Sequence, residues 1–174
     1  MILSLKRLGL RNPSISTRAR FVAVVGGHSI SAKVEEKARK IGYLLSKVGV
    51  FVICGGLSGV MEAVSRGVKE GGGTTIGLLP SEDKNDANPF IDIPLATGLG
   101  YTRNTLVVGC ADVVVALPGS YGTLSEIAFA LNAGKPVIGL GSWKIPGVIR
   151  VRTPEEAVRR VRTAFAALAG TAAR

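Results

Sequence analysis

The feature that most constrains this chain is a repeated unit: a short run of β-branched apolar residues, then a glycine cluster, then a helical pattern. The first run is Phe21 to Val25, followed by Gly26 and Gly27; the second is Val50 to Cys54, followed by Gly55, Gly56 and Gly59. Thr74 to Leu79 forms a third, Ile91 to Ala96 a weaker one interrupted by Pro94, and Val113 to Leu117 the clearest of all. Pro136–Leu140 and Val148–Val151 complete the set. Apolar runs that alternate with helical patterns signal βαβ units, and continuous β-branched runs belong to parallel strands covered on both faces. Between the first two runs, Val34, Ala38, Ile41, Leu45 and Val48 recur at spacings of four and three, which lays one apolar stripe along a helix. Ser31 stands where that helix would be N-capped and Gly49 where it would stop. Further helices are predicted over about 60–70, 100–110, 124–132 and 154–168, the last opened by Pro154. Residues 80–90, PSEDKNDANPF, form the longest loop, and Pro118 to Thr123 a tight one.

These elements specify an α/β protein: a single-domain, Rossmann-like, doubly wound parallel sheet with helices on both faces. A length of 174 residues suits one such domain, spanning 21–170 behind a basic N-terminal arm of residues 1–20. At that size folding buries roughly 70% of the surface of the extended chain, so no disulfide or metal staple is needed. The net charge of +10 is concentrated at the two ends. Residues 1–20 carry five basic and no acidic side chains, and residues 150–174 carry six arginines against Glu155 and Glu156. Residues 21–149 are nearly balanced, with 11 basic and 10 acidic side chains. No recognition motif or aromatic stacking platform accompanies the charge, so no specific nucleic-acid partner is expected. No stretch approaches the ~18 uninterrupted apolar residues of a membrane span. The acid-free N-terminus shares its composition with organellar transit peptides but lacks the apolar core of a secretory signal, and the default location is the cytoplasm. Cys54 and Cys110 end apolar runs, form no paired motif and read as buried free thiols in a reducing compartment. With His28 as the single histidine there is no metal-ligand cluster.

Three strand–glycine–helix junctions, after Val25, Cys54 and Leu117, fall at the carboxyl ends of strands, the edge at which such sheets bind ligands. Glycine lets a backbone approach an anion, and the following helix offers unpaired N–H groups at its positive end. Any one of these loops is equally explained by turn chemistry; three at one edge point to a phosphate-bearing ligand. A dinucleotide cofactor is excluded on two counts: the Gly-x-Gly-x-x-Gly pattern is absent after the first strand, and Cys54 rather than an acid ends the second. The Walker pattern is missing as well, and no cofactor is called for.

Four segments, GGLSGVMEAVSRG at 55–67, TTIGLLP at 74–80, TRN at 102–104 and PGSYGTLSE at 118–126, resemble the LOG-type superfamily over about residues 21–140. The likeness is nearest to the branch that includes molybdenum-cofactor carrier proteins. Older labels call such chains "possible lysine decarboxylase", but no pyridoxal-phosphate lysine context is present and that chemistry is not expected. The resemblance implies a nucleoside 5′-monophosphate phosphoribohydrolase, which splits a base from ribose 5-phosphate. It also implies a homodimer with the helices near the catalytic pair at its interface. The implied catalytic residues are Arg103 and Glu126, and the implied phosphate and ligand contacts are Gly26, Gly27, Gly55, Gly56, Gly59, Gly119, Ser120, Tyr121, Gly122 and Thr123.

The pair makes physical sense. Cleavage of an N-glycosidic bond develops positive charge on the ribose, which a fixed carboxylate stabilises. An arginine fork suits a phosphate or orients that carboxylate. About one turn into its helix, Glu126 would be favoured in its ionised form by the helix dipole. Two departures bear on turnover. The enzymes have Arg-Lys where this chain has Arg103-Asn104, and Pro-Gly-Gly where it has Pro118-Gly119-Ser120. The alternative reading is therefore a non-catalytic carrier for a phosphate-bearing pterin such as molybdenum cofactor, using the same glycine edge. His28 is either a ligand contact or a helix-start polar residue. Asn88 is either a ligand cover or solvated loop, and Trp143 a lid or an interface patch.

Overall fold

A computed structural model describes residues 19–171 of the chain. All but the last two residues of the basic arm, 1–20, lie outside the described residues. Seven strands, β1 (Phe21–Val25), β2 (Phe51–Cys54), β3 (Thr75–Leu79), β4 (Ile93–Ala96), β5 (Val113–Ala116), β6 (Val137–Leu140) and β7 (Val148–Val151), form one sheet in the order β4-β3-β2-β1-β5-β6-β7. Every neighbouring pair is parallel. The continuous apolar runs are the reason: β5 and β6 are buried at every residue, and only a strand covered on both faces can use side chains of that kind throughout.

The helices divide between the faces. Helices α1 (Ala32–Ser46), α2 (Val60–Glu70) and α5 (Pro154–Thr171) cover one, packing Ile41, Leu45, Val64, Val68 and Val161 against Val22, Val24 and Val115. Helices α3 (Asn104–Gly109) and α4 (Tyr121–Asn132) cover the other, packing Val107, Val108, Ile127 and Ala130 against Ala23, Val25 and Val114. The doubly wound architecture predicted from the sequence is thus the one observed. Helices α1 and α2 come into direct backbone contact at two glycines. A Cβ on Gly42 would overlap the carbonyl oxygen of Val64, and one on Gly67 the carbonyl oxygen of Arg39. No helix among the described residues is long and apolar enough to cross a membrane.

Several boundaries differ from expectation. The tight loop predicted over 118–123 is shorter, because α4 starts at Tyr121 behind an extended Ser120. Tyr121, Gly122 and Thr123 thereby become its first turn. The helix predicted over 100–110 divides into a 3-10 turn, Gly100–Arg103, and the six-residue α3. Gly98, before that turn, and Gly100, its first residue, are left-handed, with φ of 65° and 53°, which prevents an earlier helical start. Pro94 sits inside β4 because that strand lies at the sheet edge, where a missing N–H leaves no ladder bond unmade. Ser31 caps α1 through its carbonyl, which accepts the Val34 and Glu35 N–H groups; its hydroxyl makes no cap bond. Cys54 is buried as expected, but Cys110 is exposed, since it follows the last turn of α3 and only its neighbour Ala111 turns inward.

Candidate active site at the switch point of the sheet

From β1 the sheet grows outward through β2 in one direction and through β5 and β6 in the other, so the gap between β1 and β5 is its switch point. Loops leaving both strands meet there. The Gly27 N–H donates to the Pro118 carbonyl at 2.9 Å, and the Val60 N–H donates to the Gly27 carbonyl at 2.9 Å. The contact is too close for side chains. A Cβ on Gly26 would lie 2.6 Å from Val60 Cγ2, one on Gly119 would lie 2.7 Å from the Gly27 nitrogen, and one on Gly59 would overlap the Gly27 carbonyl. Glycine is therefore required here first by packing: the three loops brace one another and use up two of the N–H groups an anion might have taken. The Trp143 indole N–H adds a brace, donating to the Gly119 carbonyl at 3.0 Å, with its ring stacked on Tyr121.

Beside this crossing is a cleft of about 140 Å³, whose walls carry Gly26, Gly27 and His28 from the first loop and Gly55 from the second. Tyr101, Arg103 and Asn104 line it from the turn before α3, and Ser120, Gly122, Thr123 and Glu126 from the head of α4. The sequence-predicted residues thus divide. Arg103 and Glu126 come together here with Gly26, Gly27, Gly55, Ser120, Gly122 and Thr123. Gly56, Gly59, Gly119 and Tyr121 do not line this cleft. Gly56, at φ 76°, packs under Leu79. Tyr121 points outward and is 80% exposed. Gly119 instead lines an adjoining cavity of about 470 Å³, with Gly27, His28, Ser31, Pro118 and Ser120. Asn88 does not line the cleft: its amide donates to the Gly56 and Leu57 carbonyls at 3.0 and 2.8 Å and pins the loop after β2.

Arg103 is buried and held from two sides. Nη2 donates to the Gly55 carbonyl at 3.2 Å, and Nη1 donates to Asn104 Oδ1. A Cβ on Gly55 would overlap the guanidinium and Met61 Sδ, so a side chain there would displace Arg103 from this position. Nη1 stands 3.9 Å from Glu126 Oε1, a charge contact but not a hydrogen bond. Glu126 is 6% exposed, and burial pushes its carboxyl up to about 7 against the opposing pull of Arg103. The expectation that the helix dipole keeps it ionised is overturned. With α4 beginning at Tyr121, Glu126 is the sixth residue of the helix, past the turn over which the dipole acts, and desolvation dominates. Burial also lowers Arg103 below the ordinary arginine value, with Glu126 opposing that shift; a guanidinium stays charged regardless. Asn104, visible in the sequence only as a departure from Arg-Lys, holds Arg103. Tyr101 lines the cleft through its place two residues before Arg103, a proximity the sequence did contain. No group of three or more His, Cys, Asp or Glu side chains among the described residues is placed to hold a metal ion.

A family model described as the SLOG cluster4 family matches residues 19–167. The chain belongs to that family. An uncharacterized protein of Archaeoglobus fulgidus is 40% identical over 138 residues, 79% of this chain and 91% of that protein. The cytokinin riboside 5′-monophosphate phosphoribohydrolase LOG of Oryza sativa subsp. japonica is 31% identical over 64% of this chain and 48% of its own length. The SLOG cluster4 chain therefore spans about half the length of the curated phosphoribohydrolases it matches. Among solved structures, the molybdenum cofactor binding protein of Rippkaea orientalis is 33% identical with a TM-score of 0.81, covering 86% of this chain and 99% of that one. The molybdenum cofactor carrier protein of Chlamydomonas reinhardtii is 31% identical with a TM-score of 0.79 over the same shares. The LOG-type resemblance, and its nearness to the carrier branch, both hold for this member of the SLOG cluster4 family.

Proposed function

We propose that the cleft hydrolyses the N-glycosidic bond of a nucleoside 5′-monophosphate. The observation that carries this reading is the convergence of Arg103 and Glu126, 3.9 Å apart, on one buried cleft at the switch point. The 5′-phosphate sits at the head of α4, against Ser120, Gly122 and Thr123, where the first-turn N–H groups face the ligand edge. Water adds its oxygen to the ribose C1′ as the bond to the base nitrogen breaks. The base leaves with that electron pair and takes up a proton, and ribose 5-phosphate is released. Ionised Glu126 stabilises the positive charge that develops on the sugar, and Arg103 keeps the carboxylate and the substrate in register. Because Glu126 titrates at about 7, turnover rises as pH increases through that value.

The second reading, a carrier that retains a phosphate-bearing pterin such as molybdenum cofactor, is favoured by a different observation. The match to the molybdenum cofactor binding protein spans 99% of that chain, whereas the match to the phosphoribohydrolase spans 48% of the enzyme. In both readings the functional unit is a homodimer. Its support is the surface beside the cleft, where Leu99, Tyr101, Leu106 and Phe129 are exposed and α3 and α4 bear no exposed charge. The deciding experiment is incubation with the common nucleoside monophosphates, assayed for free base and ribose 5-phosphate. Glu126→Gln keeps the shape and removes the charge, so kcat should fall roughly 10²–10³-fold with little change in binding. Base release by the parent no faster than by Glu126→Gln, with a phosphorylated pterin retained through gel filtration, would establish the carrier.

A further inference from the structure

The chemistry of Arg103 raises a question that the catalytic pair alone does not answer. A guanidinium beside a buried carboxylate gains most by closing on it with two parallel N–H bonds. Here it does not: Nη1 remains 3.9 Å from Oε1, and among the described residues Glu126 accepts no hydrogen bond. The Arg103 Nε–H is buried with no partner either. Something holds the fork back, and two acceptors do so, the Gly55 carbonyl and Asn104 Oδ1. Only the second is a side chain.

Asn104 is itself 7% exposed and lines the same cleft. Arginine has donors and no acceptor, so the amide atom facing it must be the oxygen, and the orientation of the amide follows. Its Nδ2 then faces the head of α4, 3.6 Å from the point where a Cβ on Gly122 would sit. Among the described residues no acceptor takes those N–H groups. Two neutral donors beside the first turn of a helix suit an oxygen of an anionic group.

We propose that Asn104 is a two-sided positioning residue, whose Oδ1 holds the Arg103 fork short of Glu126 while its Nδ2 donates to the phosphate of the ligand at the head of α4. The ligand half rests on the reading of the cleft as a sugar-phosphate site; the Arg103 half does not. Holding the fork back keeps its Nε–H and the Glu126 carboxylate free for substrate instead of sealed into an ion pair. The other titratable groups facing this pair are Cys54 at the end of β2, and Tyr101 and His28 on the cleft wall. Strands β1, β5 and β6 and helix α3 contribute none.

Two variants of the full chain separate the halves. Asn104→Ala removes both functions, whereas Asn104→Asp keeps an acceptor for Arg103 and removes the donors. The readouts are the titration midpoint of the Glu126 carboxyl by carbon NMR, the affinity for ribose 5-phosphate by calorimetry, and folding by circular dichroism. In Asn104→Ala, Arg103 closes on Glu126 and the midpoint falls by about one pH unit. In Asn104→Asp the fork stays held and the added negative charge moves the midpoint upward. Affinity for ribose 5-phosphate drops about tenfold or more in both, as expected for a lost hydrogen bond to a charged group. Opposite midpoint shifts with a shared loss of binding are a signature that damage to packing does not produce. A folded Asn104→Ala protein with an unmoved Glu126 midpoint, or variants that bind like the parent, would overturn the proposal. If the parent itself fails to bind ribose 5-phosphate, the sugar-phosphate reading and the ligand half fall together, and the midpoint still decides the Arg103 half.

Discussion

The two faces of the sheet are built to different standards. One carries α1, α2 and α5, of 15, 11 and 18 residues, over the larger apolar cluster. Its outer surface is charged, with Lys33, Arg39, Lys40, Arg159, Arg160 and Arg162 all exposed. The other carries α3 and α4, of 6 and 12 residues, whose single charged residue is Glu126, buried in the cleft. This thinner layer does not reach the edge of the sheet. Ile93 and Leu95 of β4 pair in register with Ile76 and Leu78 of β3, and so extend the apolar layer of the α3/α4 face. Both are nonetheless more than 40% exposed, at 43% and 45%. The first face is completed within the chain. On the second, the layer that leaves the sheet partly bare also brings Arg103, Asn104 and Glu126 to its carboxyl edge, so the same economy of cover leaves both a cleft and an exposed apolar surface.

If that contrast is right, the finished face should be the intolerant one. Alanine for glycine inside a helix normally stabilises it by about 1 kcal/mol. Gly67→Ala should do the reverse, because its Cβ would overlap the carbonyl of Arg39, a backbone atom that moves only if α1 and α2 separate. Overpacking of this kind costs about 3 kcal/mol or more when no side chain can give way. Urea unfolding is the measurement. A Gly67→Ala protein as stable as the parent would mean that the two helices slide freely, and that this face is no more rigid than the other.

The contrast was partly legible in the sequence. Runs such as Val113 to Leu117 admit one reading, a strand covered on both sides, and the structure agrees because nothing else buries so many β-branched side chains at once. Arg103 and Glu126 could be paired through the PGSYGTLSE and TRN motifs. What the sequence did not contain was the state of that pair. Whether Glu126 is ionised depends on its desolvation by distant parts of the chain, and the start of α4 three residues early moved it off the helix terminus. Three glycine loops at one edge pointed to a phosphate-bearing ligand, whereas the Gly27 N–H is spent on Pro118 and the Val60 N–H on Gly27, contacts between distant segments that no local pattern encodes. Cys110 failed for a similar reason: a run of apolar residues marks a buried segment, but not which side of its last turn faces water.

A charge placed on the thin face should act through association rather than folding. Phe129, on α4, is 47% exposed. If the proposed homodimer forms through this face, Phe129→Asp should raise its dissociation constant at least about 30-fold, the equivalent of roughly 2 kcal/mol for an aromatic anchor, while the thermal unfolding of the separated chains changes little. Lys40→Glu, a larger change of charge on the opposite face, should leave the association state alone. Sedimentation of both variants sharpens the comparison, and equal behaviour would break it.

The smallest effect comes from the cleft itself, and its sign is the informative part. Burial holds the Glu126 carboxyl at about 7, above its ordinary value of 4.5. Between those values the folded protein binds more protons at this site than the unfolded chain does, so the contribution of Glu126 is fully present below pH 4.5 and is lost as pH rises through 7. Asp92 and Glu70, whose carboxyls are held below their ordinary values, act the other way and lose their stabilisation at lower pH, so the windows separate. Glu126→Gln removes the site's titration. A shift of that size is worth about 3 kcal/mol at neutral pH and above, but the glutamine still buries an amide lacking good partners, which returns about 1–3 kcal/mol. The net expectation is a variant about 1 kcal/mol more stable than the parent at pH 8, with the advantage shrinking and reversing toward pH 5. A variant that gains nothing on the alkaline side would mean that Glu126 is already ionised at little cost, through a closed contact with Arg103. The thin face would then be as fully satisfied as the thick one, and the substrate would have to break an ion pair to enter.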